Sequence, residues 1–224
     1  MAQLKGFLFD MDGTLVDNWM YHIVSFNEYL RRKNLTPIAE LTLDLNGRHS
    51  NDIFRIMIGE EQCQRVGFET LNQEKEAVYR DMYSGYVEPI NGLIELLKEA
   101  KARGIKCAIA SSGCRENVEF IIEELGIADY IDGSISGSEL TNGKPHPEAF
   151  LKAAATLNLQ PEECIVFEDA VNGIKAGTAA GCKCVGITTT ATVEALSEVG
   201  ASICVKDFTS LSIARLEALL AEQL

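Results

Sequence analysis

Basic residues are scarce in this chain: 20 lysines and arginines stand against 33 aspartates and glutamates, a formal charge of −13 over 224 residues. Affinity for a phosphate backbone comes largely from cations, so nonspecific nucleic-acid binding is not expected. Long apolar runs are missing too. No stretch approaches the roughly 20 residues needed to span a bilayer, and Met1 to Lys5 is too short a lead before the first strand-like segment to act as a secretion signal. No membrane partner and a cytoplasmic location are therefore expected. Cysteine is present, but without a pairing signal: Cys63, Cys107, Cys114, Cys164, Cys182, Cys184 and Cys204 form an odd, dispersed set. Cys182-Lys183-Cys184 has neither zinc-site spacing nor a second nearby pair. Reduced core thiols are the expectation, with Cys114 the one open to oxidation. Internal repeats and low-complexity tracts are absent. The apolar fraction of 46% argues against extensive disorder, and this length builds one sizeable core plus an accessory unit. A monomer is expected.

Strand-like segments recur near residues 6 to 10, 105 to 110, 132 to 136, 164 to 168, 183 to 188 and 202 to 205, alternating with helical stretches. That alternation is the pattern of an α/β fold with a parallel sheet. Residues 19 to 83 interrupt it. They read as mostly helical, with apolar periodicity from Tyr21 to Leu30 and again from Glu76 to Tyr83. A Rossmann-like core of residues 1 to 16 and 87 to 224, with a helical cap of residues 17 to 86, follows from this. Hinges are expected near residues 16 to 19 and 84 to 88.

Four segments carry the chemistry. In Phe7-Leu8-Phe9-Asp10-Met11-Asp12-Gly13-Thr14, an apolar strand ends in two carboxylates spaced i, i+2. Close carboxylates repel unless a cation or a shared proton relieves them. An aspartate so placed suits nucleophilic attack on phosphorus, and an acid two positions on suits general acid and base work. An Asx turn followed by a helix cap would also use Asp-Gly-Thr. The strand Ile105 to Ala110 runs into Ser111-Ser112-Gly113, which suits either phosphoryl binding or a cap for the helix starting near Arg115; taken alone, this segment favours the cap. Lys144-Pro145-His146-Pro147 holds a lysine just before a helix over Glu148 to Leu157, either as a fixed ammonium or as an ordinary solvated lysine. The strand Cys164 to Phe167 ends in Glu168-Asp169, which suits Mg2+ or, for Asp169, an N-cap. In an open parallel sheet these strand ends converge on one crevice.

Taken in order, Asp10-Met11-Asp12-Gly13-Thr14, Ser111, Lys144-Pro145 and Glu168-Asp169 resemble the four motifs of the haloacid dehalogenase superfamily, across essentially the whole chain. The resemblance implies that Asp10 is the nucleophile, Asp12 the general acid/base, and Ser111, Ser112 and Lys144 the phosphate-binding groups. It further implies Mg2+ bound by Asp10, Asp12 (through its backbone carbonyl), Glu168 and Asp169, with Glu168 direct or through water. The dehalogenase branch usually lacks the second aspartate, and phosphonoacetaldehyde hydrolases use a cap lysine for a Schiff base. Here Asp12 is present, and no lysine lies between Asn34 and Glu74. Phosphate-ester chemistry is expected.

The inserted helical stretch resembles the small cap of the phosphatase and phosphoglucomutase branch. A Mg2+-dependent phosphatase for a small sugar or polyol phosphate is expected, with beta-phosphoglucomutase as the alternative. Asp17-Asn18-Trp19-Met20-Tyr21-His22 resembles the mutase segment and marks His22, otherwise a polar residue on an apolar helix. Arg48 stands where cap specificity residues occur, for a distal phosphate or sugar hydroxyl, or else as a surface charge paired with Asp52; the segment Leu45 to Asp52 departs from the mutase arginine spacing. A non-enzymatic phospho-accepting signalling domain would share the clustered aspartates, but it needs neither Asp12 nor a cap.

Overall fold

A computed structural model describes residues 3–39 and 50–221. The chain divides into two compact units, one of residues up to Asp17 together with those from Val87 on, the other of Asn18–Tyr86.

The first unit is built on a six-stranded sheet: β1 (Gly6–Phe9), β2 (Lys106–Ala110), β3 (Gly133–Ile135), β4 (Cys164–Glu168), β5 (Lys183–Ile187) and β6 (Ile203–Val205). The strand order is β3-β2-β1-β4-β5-β6 and every pairing is parallel. Each expected strand is found, within a residue at either end. The α/β class is thus as the alternation required. Parallel strands are covered on both faces and so read as continuous apolar runs. In β1, Leu8 packs with Ala108, Val166, Ala149 and Phe150. Its neighbours Phe7 and Phe9 join Phe167 and Phe208 in an aromatic cluster, with Phe9 stacked on Phe167 at 4.8 Å between ring centroids.

The crossovers after β1 and β2 build the sheet in one direction, and the strands after β3 build it in the other. Strand β1 is therefore the topological switch point, where such sheets open a crevice at their carboxyl ends. Helices α5 (Leu93–Ala102), α6 (Arg115–Glu124), α7 (Glu148–Thr156), α8 (Val171–Ala179), α9 (Val193–Glu198) and α10 (Ile213–Ala221) complete this unit. The segments entering and leaving the insertion are paired at their base, with Val16 bridging Pro89 and the Ile90 N–H donating to the Leu15 carbonyl at 2.9 Å.

The second unit carries α1 (Trp19–Arg32), α2 (Ser50–Ile58), α3 (Glu60–Val66) and α4 (Phe68–Tyr83). Its core is Phe26, Tyr29, Leu30, Phe54, Met57, Leu71 and Val78, the buried stripes of amphipathic helices. Burial of such side chains contributes about 1.5–3 kcal/mol each. Among the described residues no helix is long and apolar enough to cross a membrane.

Candidate active site

Asp10 follows β1 directly, its N–H donating to the Phe167 carbonyl at 3.0 Å. Ser111 follows β2 in the same way, its N–H donating to the Ile135 carbonyl at 3.0 Å. Glu168 closes β4 and Asp169 is the next residue. The parallel register pairs Phe9 with both Ile109 and Phe167, so Asp10 and Glu168 leave adjacent strands at one level and Ser111 and Asp169 follow one residue further on.

Carboxylate oxygens of Asp10, Glu168 and Asp169 all lie within 4.8 Å of one another, and all three residues are buried. Lys144 is fixed among them. Its Nζ lies 2.5 Å from Asp10 Oδ1 and 2.7 Å from Glu168 Oε1, with 8% of its side chain exposed. It is not a solvated lysine. It arrives from the loop before α7, which is held by Glu148: that carboxylate accepts the Thr141 and Asn142 N–H groups at 3.0 and 2.9 Å.

Burial pushes the Asp10 carboxyl well above the usual range; the Lys144 ammonium opposes this, and the carboxylates of Glu168, Asp169 and Asp12 add to it. Asp169 is pushed up to about 7, by burial first and by Glu168 second. Lys144 stays above its ordinary value despite burial, because Asp10 and Glu168 outweigh the loss of solvent.

Three carboxylates and one ammonium leave a formal surplus of two negative charges. The donors are all oxygen, which suits a hard divalent cation such as Mg2+ or Mn2+, and a bound cation reverses the local preference for protonated acids. The residues fit such an ion. Among the described residues, the Asp12 side chain is not a member of this group.

Two glycines make the packing possible. Gly13 has φ +83°, and a Cβ there would lie 2.1 Å from Asp169 Oδ2. A Cβ at Gly173, in the first turn of α8, would lie 1.6 Å from Glu168 Oε1. Either substitution would displace an acid of the cluster.

Ser111 is 1% exposed, and its Oγ accepts the Gly113 N–H at 2.9 Å, leaving its own hydrogen free to be donated. The alternative of Ser111 or Ser112 as a helix cap is not what the structure shows. The N-cap of α6 is Cys114, three residues beyond Ser111, and it makes no side-chain cap bond. Ser112 is exposed. Asp169 is not a cap either. Ala170 occupies that position of α8, and its N–H is taken by Glu168 Oε2 at 2.8 Å. The thiols of Cys107, Cys164 and Cys184 are each pushed up to about 12 by burial, consistent with inert core cysteines.

In the second unit, His22 stacks on Tyr79 with ring centroids 4.1 Å apart. Lys75, 1% exposed, lies 2.9 Å from His22 Nδ1 and 2.8 Å from Glu76 Oε1, with its ammonium over the Phe26 ring. An ammonium donating to Nδ1 places the imidazole proton on Nε2. Sequence reading missed Lys75. The available signal was a lysine on the stripe Leu71, Lys75, Val78 and Tyr79, whose other members are apolar or aromatic. Arg48 lies outside the described residues, and its suggested partner Asp52 pairs with Arg55 at 2.8 Å.

With this geometry in view, the comparisons with known proteins define the class. A family profile described as haloacid dehalogenase-like hydrolase matches residues 7–187. The chain belongs to that family. Among its relatives, validoxylamine A 7'-phosphate phosphatase of Streptomyces hygroscopicus subsp. limoneus is 30% identical over 91% of this chain and 94% of its own length. Hexitol phosphatase A of Escherichia coli (strain K12) is 31% identical over 87% and 88%, and beta-phosphoglucomutase of Bacillus subtilis (strain 168) is 30% identical over 82% and 83%. A solved haloacid dehalogenase hydrolase of family IA, variant 3, from Entamoeba histolytica HM-1:IMSS superposes with TM-score 0.82 at 28% identity, covering 98% of this chain and 100% of that one. The protein is an enzyme of the phosphatase and phosphomutase type, similar to proteins named for phosphorylated sugars and polyols.

Proposed function

We propose that this enzyme is a Mg2+-dependent phosphatase of a small sugar or polyol phosphate, working through an aspartyl-phosphate on Asp10. The observation that carries this reading is the buried cluster of Asp10, Glu168 and Asp169 held by Lys144 at the switch point of the sheet. In the first half-reaction an Asp10 carboxylate oxygen attacks phosphorus, the bond to the substrate oxygen breaks, and Asp12 protonates the departing alkoxide. In the second, Asp12 takes a proton from water as water attacks the aspartyl-phosphate, releasing phosphate and restoring Asp10. Ser111 and Lys144 bind phosphoryl oxygens, and Ser112, beside them, joins that loop. Mg2+ would be held by Asp10, Asp169 and Glu168, together with the Asp12 carbonyl, and would supply charge neutralisation and orientation of the phosphoryl group. Residues 17–86 serve as the cap that selects the substrate and excludes water.

One observation favours the second reading, a beta-phosphoglucomutase. His22 is held by stacking on Tyr79 and by the Lys75 ammonium, a fixed imidazole of the kind that couples a sugar hydroxyl to acid/base chemistry. Purified protein with Mg2+ and a panel of sugar and polyol monophosphates separates the two. The panel includes beta-glucose 1-phosphate with a trace of glucose 1,6-bisphosphate. Rapid phosphate release on one compound class is expected. Isomer conversion with little free phosphate would replace the phosphatase by the mutase.

A further inference from the structure

Outside the four motifs, the turn that follows β5 reaches back to two of them. Thr189 Oγ1 donates to the Gly13 carbonyl at 2.5 Å. The Thr190 hydroxyl lies on the Asp169 side of this turn, and the Ala191 N–H donates to the Asp169 carbonyl at 3.2 Å. The turn is itself anchored, because the Thr188 N–H and hydroxyl both go to the Val205 carbonyl of β6, at 2.9 and 3.4 Å. The geometry closes on a single point: the position a Gly13 Cβ would take lies 2.1 Å from Asp169 Oδ2 and 3.1 Å from Thr190 Oγ1.

This arrangement answers a need of the cluster. Asp169 is 4% exposed and faces the carboxylates of Asp10 and Glu168, so repulsion would turn its carboxylate away unless donors hold it. Thr14 Oγ1 supplies a long contact of 3.4 Å to Oδ1, which is weak at that distance. The Thr190 hydroxyl, which flanks the same point as Asp169 Oδ2, is placed to supply another donor. The β4–β5 register, Glu168 opposite Gly186, is what brings the end of β5 alongside.

We propose that Thr189 and Thr190 are positioning residues for the divalent-cation site: Thr190 fixes the rotation of the Asp169 carboxylate, and Thr189 holds the Gly13 carbonyl, keeping the loop after β1 and the acids after β4 in register. The inference rests on reading the acidic cluster as a cation site. Groups that orient metal-binding carboxylates commonly matter 10- to 100-fold for metal affinity, and a threonine hydroxyl within reach of a buried acid is such a group.

The test is a Mg2+ titration of the thermal unfolding midpoint of the full chain, for wild type, Thr190→Val, Thr190→Ser and Asp169→Asn, with turnover followed in parallel. An ion that binds only the folded state raises the midpoint. Thr190→Val is expected to need about tenfold more Mg2+ for half the full rise, and Thr190→Ser to titrate like wild type. A Thr190→Val protein titrating like wild type would overturn the inference. So would Thr190→Ser as impaired as Thr190→Val, since the hydroxyl would then be irrelevant. Asp169→Asn separates the two levels. If wild type and Asp169→Asn respond alike to Mg2+, the cation-site reading falls and the inference falls with it. If only Asp169→Asn loses the response while Thr190→Val keeps it, the threonine role alone is refuted.

Discussion

The two units each bury a lysine, and they solve the same electrostatic problem in opposite ways. Lys144 in the α/β unit is held by carboxylates 134 and 24 residues away, brought together by neighbouring parallel strands. Lys75 in the helical unit is held by its neighbour Glu76, by His22 and by the Phe26 and Tyr79 rings. Removing an ammonium from water is costly unless partners compensate. At Lys144 the compensation is an excess of negative charge, which still calls for a cation. At Lys75 one carboxylate, an imidazole and two ring faces meet a single charge. The first arrangement is electrically incomplete and suited to binding anions through metal; the second is locally balanced and suited to holding an imidazole.

Breaking that contrast starts with Lys144→Met. It strips the Lys144 ammonium from the Asp10, Glu168 and Asp169 cluster, and kcat/KM for a sugar phosphate is expected to fall by about 100- to 1000-fold. Lys75→Met keeps an unbranched side chain of similar length but removes the ammonium that meets Glu76 and His22. Unfolding free energy should fall by about 3 kcal/mol, because Glu76 loses its buried ammonium partner, while kcat/KM falls far less than in Lys144→Met. Equal activity losses in the two variants, measured under one set of conditions, would erase the distinction.

The smallest effect is expected at Glu148, which fastens the loop carrying Lys144. Bonds from Lys152 and from the Thr141 and Asn142 N–H groups hold its carboxyl down, from an ordinary 4.5 to about 2. A depressed acid stabilises the fold above its unfolded value and loses that contribution as pH falls through the folded one. The gap in unfolding midpoint between wild type and Glu148→Gln should therefore be full above about pH 4.5 and close towards pH 2. A gap that stays constant across that range would show that the ionised carboxylate contributes nothing.

The α/β unit was far more legible than the site's supporting shell. Buried parallel strands announce themselves as unbroken apolar runs, and an acid at the end of such a run is conspicuous, so the sequence alone sets Asp10, Ser111 and Asp169 at converging strand ends. Lys144 followed from the prolines that flank its turn. The helix caps were less legible: Ser111 and Asp169 carry good capping side chains, yet α6 and α8 begin after Cys114 and Ala170, because helix starts are fixed by backbone geometry as well as side-chain chemistry. Lys75 was missed because a charged residue on an amphipathic helix reads as solvent-facing, although its place on the stripe Leu71, Lys75, Val78 and Tyr79 pointed inward. Thr189 and Thr190 gave no signal at all, since hydroxyls after a strand are common and their proposed value lies in their place beside Gly13 and Asp169 in the fold.

The central claim is that Asp10 carries the phosphoryl group. Rapid acid quenching of the Mg2+-loaded enzyme, mixed with a substrate radiolabelled in its phosphate, tests it most directly. Label released from the protein by hydroxylamine, mapped to the Asp10 peptide and absent from an inactive Asp10→Asn variant, is the predicted result. Label on another residue, or an Asp10→Asn protein that still turns over, would contradict the account.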